Sequence, residues 1–404
     1  MSDARSTAVV SLRPSGPWAS PESVGSRAFA LAVACCRWPL TEDAMRHVRV
    51  AATGEFDWAR FLRLIPRHRI GGLVFNALKT AAVDVPQEIH AALANEAQRN
   101  ARQSIALAAE TLRLQGALDA AGVPSLTLKG APLAQMAYGL QALKQGRDVD
   151  IVVPATAAIE AFRVLEGNGY GLVLPARALN EAQRRVLVRY GNEAEFVHEA
   201  RPLRIDLHWQ LAYNPALLKN IGAHSPAHPV DIPGFGCART LRPDDHFAYL
   251  CVHGAYHRWS RLKWIADLNA LLNAEACPDV LTLYRHAREK GAGRCARQAL
   301  LLAHRLFGRP LPAGIKQEIE ADARAVGLTD LALEALTEET SRELSFPRHF
   351  QLGEGTTYVL SQLRIACVGL PDAIRFPLPP ALHFMYPAMR LPMMLWRRAN
   401  RSRG

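Results

Sequence analysis

The stretch KGAPLAQMAYGLQALKQGRDVDIVVP, Lys129 to Pro154, carries the pattern on which the fold turns. Asp148 and Asp150 stand one residue apart at the mouth of a β-branched run, Val149–Val153, and a Lys129-Gly130 pair follows an earlier apolar run, Val123–Leu128. On a strand successive side chains alternate faces, so Asp148 and Asp150 point one way and Val149 and Ile151 the other. Two carboxylates projecting together repel unless a cation sits between them. Mg²⁺ suits such a pair, because it takes hard oxygen ligands and is usually held by one or two carboxylates together with substrate phosphates. For the two aspartates taken alone, a solvated strand entry is the plain alternative.

A third acid lies downstream. Glu195–His198 and Leu203–Leu211 read as a hairpin around Ala200-Arg201-Pro202. Alternation in the second arm puts Leu203, Ile205, Leu207, Trp209 and Leu211 on one face and Arg204, Asp206, His208 and Gln210 on the other. Asp206 would therefore share a polar face with His208, which is placed either to orient a ligand or acceptor or to serve as a hydrogen-bonded structural histidine. Upstream, Lys129-Gly130 opens a predicted helix, Ala131–Leu140, and a glycine at a helix start lets backbone N–H groups approach a phosphate closely.

Around these blocks the periodicity is helical. Arg27 to Gly122 shows apolar residues three and four apart, with Pro86 opening a long run and Gly122 suited to its end. The chain after Pro243 reads the same way, while Ala155–Asn168 (helix) and Tyr170–Leu174 (strand) belong to the central part. The expected organisation is an arm over residues 1–26, a helical region over 27–122, an α+β core over 123–240 and a helical region over 241–404. The fold class is α+β, a small mixed β-sheet embedded in helical N- and C-terminal regions.

Taken together, strand, Lys-Gly turn, helix, D-x-D strand and later aspartate strand resemble the nucleotidyltransferase superfamily of polymerase-β type. More narrowly, KGAPLAQMAY, RDVDIVV and RIDLHW, followed by LCVHGAYHRWSRLKWIADLNALL, resemble a family of uncharacterised bacterial nucleotidyltransferases, over roughly residues 30 to 275. The resemblance implies that Asp148 and Asp150 are metal ligands and that Asp206 is the third carboxylate, either a ligand of a second metal or the base toward an acceptor hydroxyl. It implies Lys129 and Gly130 as part of a triphosphate cradle, Mg²⁺ as cofactor and an NTP as substrate. Arg147 and His208 join the nucleotide-binding candidates. The chain departs from the superfamily's Gly-Ser or Gly-Gly turn, having Lys129-Gly130-Ala131, so Lys129 would supply charge where a hydroxyl is missing. For the arginine that the narrower family often carries before its D-x-D pair, Lys144 and Arg147 both remain candidates.

The expected reaction is transfer of an NMP from an NTP to an unidentified acceptor, a peptide or a small molecule, with pyrophosphate release. Some relatives are encoded in lasso-peptide biosynthesis clusters, which puts a ribosomally made peptide among the acceptors. A phosphotransferase using the same metal site, and an inactive relative acting as a peptide-binding tailoring partner, are the alternatives. The net charge of +11 favours anionic partners, but arginines near the C-terminus (Arg390, Arg397, Arg398, Arg401, Arg403) inflate it, and nucleic acid is not the expected partner. Seven scattered cysteines without a CxxC fit a reducing cytoplasm. The apolar stretch Phe376–Trp396 carries too many prolines and charges for a membrane span; docking on the protein's own surface is expected, with interfacial membrane contact the lesser alternative. His253, His257, Arg258, Lys263 and Asp267 form a further polar block on predicted helices, without an HExxH pattern. Trp259 and Trp264 read as core.

Overall fold

Seven strands form one mixed sheet in the order β3-β4-β5-β2-β1-β7-β6. They are β1 (Leu126–Thr127), β2 (Val149–Val152), β3 (Tyr170–Leu172), β4 (Glu193–His198), β5 (Arg204–His208), β6 (Ala227–Ile232) and β7 (Gly236–Leu241). The computed structural model describes residues 26–173, 179–337, 344–390 and 392–393. Most of the expected N-terminal arm, the end of the expected strand at Leu174, and Arg397, Arg398, Arg401 and Arg403 lie outside the described residues.

The hairpin around residues 200–202 forms as expected. β4 and β5 are antiparallel, with Phe196 opposite Ile205. β2 runs parallel to β5, and this pairing places Asp150 beside Asp206 and Ile151 beside Leu207. The alternation is therefore real. Val149, Ile151, Ile205, Leu207 and Trp209 enter one core with Phe162, Leu165 and Phe196, under the helices Ala158–Gly167 and Glu181–Tyr190. The second of these helices starts at Asn180, which exchanges a reciprocal capping box with Gln183. Leu211 departs from the expected face: β5 ends at His208, and Leu211 packs into a second, helical core instead.

That second core joins the two ends of the chain. Leu31, Phe61, Ile65 and Val74 from the N-terminal helices meet Phe247, Cys251, Leu268 and Leu300 from the helices Pro243–Tyr256, Leu262–Leu271 and Gly293–Phe307. Between the cores runs a 34-residue helix, Gln87–Ala120, opened by Pro86 and followed by Gly122 at φ 69°. The β6-β7 hairpin was not legible in the sequence. Its Pro229 sits on the edge strand, where a missing N–H costs no ladder bond.

Ala373, Ile374 and Tyr386 dock into the sheet-side core, while Phe384 stays 76% exposed, so the region around the Phe376–Trp396 stretch covers the protein's own surface only in part. All seven cysteines are free thiols. Among the described residues no helix is long and apolar enough to cross a membrane.

Candidate functional site

Asp148, Asp150 and Asp206 line one cavity of about 420 Å³ at the junction of the sheet and the helical core. The parallel β2-β5 register sets the last two side by side, and Asp148 follows from the alternation of β2. The same cavity is lined by five lysines and arginines from four segments: Arg69, Lys129, Lys144, and Arg261 with Lys263. Gly130 opens the helix Gly130–Tyr138 at φ 67°, a left-handed conformation that favours glycine, and a Cβ there would meet nothing within 4 Å. The turn thus borders open space, and the first turn of that helix offers N–H groups to an anion.

Charges within the cavity are strongly coupled. Lys129 Nζ lies 2.8 Å from Asp150 Oδ1, and His208 Nε2 lies 3.5 Å from the same oxygen. Burial alone would raise the Asp150 carboxyl; Lys129 and His208 outweigh it and hold the group well below the usual carboxylate range. Even so, Oδ1 is buried without an aligned hydrogen bond. Asp206 has the opposite fate: burial, reinforced by Asp150 and Asp148, pushes its carboxyl up to about 7. His208 Nδ1 sits 2.9 Å from Glu193 Oε2, and although burial opposes it, the neighbouring Asp150 and Glu193 carboxylates push the imidazole up to about 9.

The basic wall is under the reverse strain. Burial lowers Lys263 to about 7, with Lys144 adding repulsion, and burial with Arg261 and Arg147 lowers Arg69 to about 10. Lys263 Nζ donates to the Gln145 carbonyl (2.9 Å). Lys144 Nζ pairs with Asp267 Oδ2 (3.1 Å), whose other oxygen accepts the Tyr138 hydroxyl (2.9 Å). Cations that oppose one another, as Lys144 does Lys263 and Arg261 does Arg69, gain free energy when a polyanion arrives.

A divalent cation fits this donor set. The three groups are hard carboxylate oxygens, burial and then their mutual repulsion raise Asp206, and one buried oxygen lacks an aligned donor. The oxygens do not all close within 4.8 Å of one another; among the described residues only Asp244, Asp245 and His286 do so. The aspartate trio is a lined cleft with room for substrate oxygens rather than a closed cage. In the second group His286 Nε2 already sits 2.7 Å from Asp245 Oδ1, and Arg242 pairs with Asp244 (3.1 Å), so both carboxylates already have partners at the start of the helix Pro243–Tyr256.

Of the expected site residues, the structure brings together Asp148, Asp150, Asp206, Lys129, Gly130 and His208. Arg147 is exposed and does not line the cavity, whereas Lys144 does. His253 and His257 line it with ring centroids 4.6 Å apart. Arg258 turns away, toward the carbonyl of Leu331. Trp259 is fully buried, but Trp264 is a correction: it backs onto the helical core and faces the cavity, stacked on His257 at 5.2 Å. Arg69, Arg261 and Glu193 were not singled out from the sequence. Arg69 carries no motif; its φ of 54° just past the helix Trp58–His68 is what aims the chain.

A sheet with this order, two neighbouring aspartate strands and a glycine turn facing the same cleft define a protein of the nucleotidyltransferase class. Residues 54–308 match the model of a family described as "Uncharacterised nucleotidyltransferase", and the chain belongs to that family. No curated protein matches it.

Proposed function

We propose that the protein transfers a nucleoside monophosphate from an NTP to a hydroxyl-bearing acceptor, with Mg²⁺ bound by Asp148, Asp150 and Asp206. The observation that carries this reading is the single cavity in which all three carboxylates face Gly130 and five basic side chains. When bound, Mg²⁺ would polarise the α-phosphate and neutralise charge on the attacking and leaving oxygens. Lys129, Arg69, Arg261 and the first turn after Gly130 would hold the triphosphate by charge and backbone N–H groups. The acceptor oxygen forms a bond to the α-phosphorus, the bond from that phosphorus to the pyrophosphate oxygen breaks, and pyrophosphate leaves. The hydroxyl proton goes to Asp206, which has no ion-pair partner among the described residues. His208 fixes Asp150 from behind, itself fixed by Glu193. Catalysis of this kind is mostly positioning and electrostatics.

Parallel incubations with α-labelled and γ-labelled NTPs, Mg²⁺ and a panel of acceptors, peptides included, test the reading. Label should appear on an acceptor with release of pyrophosphate, and Asp148→Ala should lower the rate by about 10²–10³. If only γ-label is transferred, the site is a phosphotransferase; if neither label moves and pyrophosphate is not released, the proposal fails.

A further inference from the structure

A second cavity of about 260 Å³ shares a wall with the first, because His253 and His257 line both. His208 also faces it, and His208 Nε2 is 3.5 Å from Asp150 Oδ1, so the chamber abuts the aspartate trio. Its chemistry differs sharply from that of its neighbour. Among the described residues, five lysines and arginines line the first cavity and none lines the second, where Glu193 is the one carboxylate among tyrosines and histidines. Tyr213, Tyr249, Tyr256 and His349 present ring surface, and Tyr256 and His349 lie with centroids 5.4 Å apart.

We propose that this chamber is the acceptor subsite and that it selects hydroxyl compounds carrying an ammonium group. The proposal rests on the nucleotidyl-transfer reading above and names the acceptor class for that site. An anion meets no lysine or arginine among the described lining residues; Lys129 reaches only the ring of Tyr249, 5.8 Å from its centroid. A cation gains twice. Ring faces attract it through their quadrupoles. Among the described residues Glu193 pairs with His208 through Oε2, and a carboxylate has about four acceptor positions, so it can take an ammonium as well. His208 directs its two ring nitrogens at Glu193 and Asp150, so neither nitrogen faces the ligand. With the ammonium held at Glu193, the hydroxyl oxygen is presented across the His253 wall to the α-phosphorus. That oxygen bonds to phosphorus as the pyrophosphate oxygen departs, and the hydroxyl proton passes to Asp206.

The test uses the full chain with Mg²⁺ and α-labelled NTP, and probes matched in skeleton but not charge: glucosamine, N-acetylglucosamine and glucose 6-phosphate as one arm, and the N-acetylated dipeptide amides of Lys-Ser and Glu-Ser as the other. Transfer to the ammonium-bearing member should exceed transfer to its partners by about ten-fold or more. Whichever arm shows the preference tells an amino sugar from a basic peptide. Glu193→Gln should reduce the preference to within about three-fold, and Glu193→Asp should restore part of it. Equal or better transfer to the acetylated, phosphorylated or acidic probe overturns the proposal, as does a preference that survives Glu193→Gln. Mg-NTP binding to the wild-type chain, measured by calorimetry, separates the two readings. Absent binding sinks nucleotidyl transfer itself; binding with no ammonium probe labelled sinks only the acceptor assignment.

Discussion

Replacing Asp267 by alanine would strand two buried partners at once. Its Oδ1 accepts the Tyr138 hydroxyl at 2.9 Å and its Oδ2 lies 3.1 Å from Lys144 Nζ, with the Lys144 and Asp267 side chains each only 5% exposed. The pair ties the helix Leu262–Leu271 to the segment leading into β2, and both residues line the cavity of the aspartate trio. An ammonium left unpaired in such a place costs about 3–5 kcal/mol. For a chain of 404 residues the unfolding entropy is about 0.85 kcal/mol/K, so the melting temperature should fall by about 4–6 °C. Thermal unfolding followed by tryptophan fluorescence measures this. The double variant Lys144→Met, Asp267→Leu should recover most of the loss, because the cost lies in the orphaned charge rather than in absent attraction. An Asp267→Ala protein melting within about 1 °C of the parent would refute the reasoning, and so would a double variant no more stable than the single one.

Asp206→Asn should abolish transfer yet raise the melting temperature in EDTA at pH 8, since burial and the Asp150 and Asp148 carboxylates oppose charge at this position; an unchanged or lower melting temperature would speak against that strain. His68 Nδ1 accepts the Leu262 N–H, which requires a neutral ring, and burial with Arg67 and Arg261 lowers its pKa to about 3. Below about pH 6.5 the unfolded chain binds a proton that the folded one refuses, so stability falls with pH by about 1.4 kcal/mol per unit until the folded value is reached. Between pH 6.0 and 4.5 the parent should lose about 2 kcal/mol more than His68→Gln in urea titrations, and parallel profiles would remove the argument. At Gly254 an added Cβ would lie 2.4 Å from the ring of fully buried Trp259, so Gly254→Ala should destabilise by about 1–3 kcal/mol through overpacking; an unshifted urea midpoint would show that the ring yields freely.

The core of the site was legible because period-two alternation is a local property. Val149 and Ile151, and likewise Ile205 and Leu207, had to enter a core together, and that alone fixed the face on which Asp148, Asp150, Asp206 and His208 project. The helical scaffold was legible for the same reason at its own period. The β6-β7 hairpin was not, since Pro229 and the glycines of Gly234-Phe-Gly236 break up a short alternating pattern. The reading of Trp264 as core was half right, because hydrophobicity records that a ring is covered but not that its other side forms a wall.

By itself, the sequence determined the α+β class, the shared face of Asp148 and Asp150, the polar face of Asp206 and the Lys-Gly turn, each carried by contacts within a strand or across one turn. Only the tertiary structure decided that β2 and β5 run side by side and in parallel, which places Asp150 against Asp206 across more than fifty residues of chain. It alone brought Arg69 and Arg261 to the same cavity, chose Lys144 over Arg147 as the lining cation, and set Glu193 behind His208. The physical reason is that an isolated charge is equally at ease in water wherever it stands along the chain. It acquires a role only when the packing of distant apolar residues removes that water and leaves other charges as its neighbours.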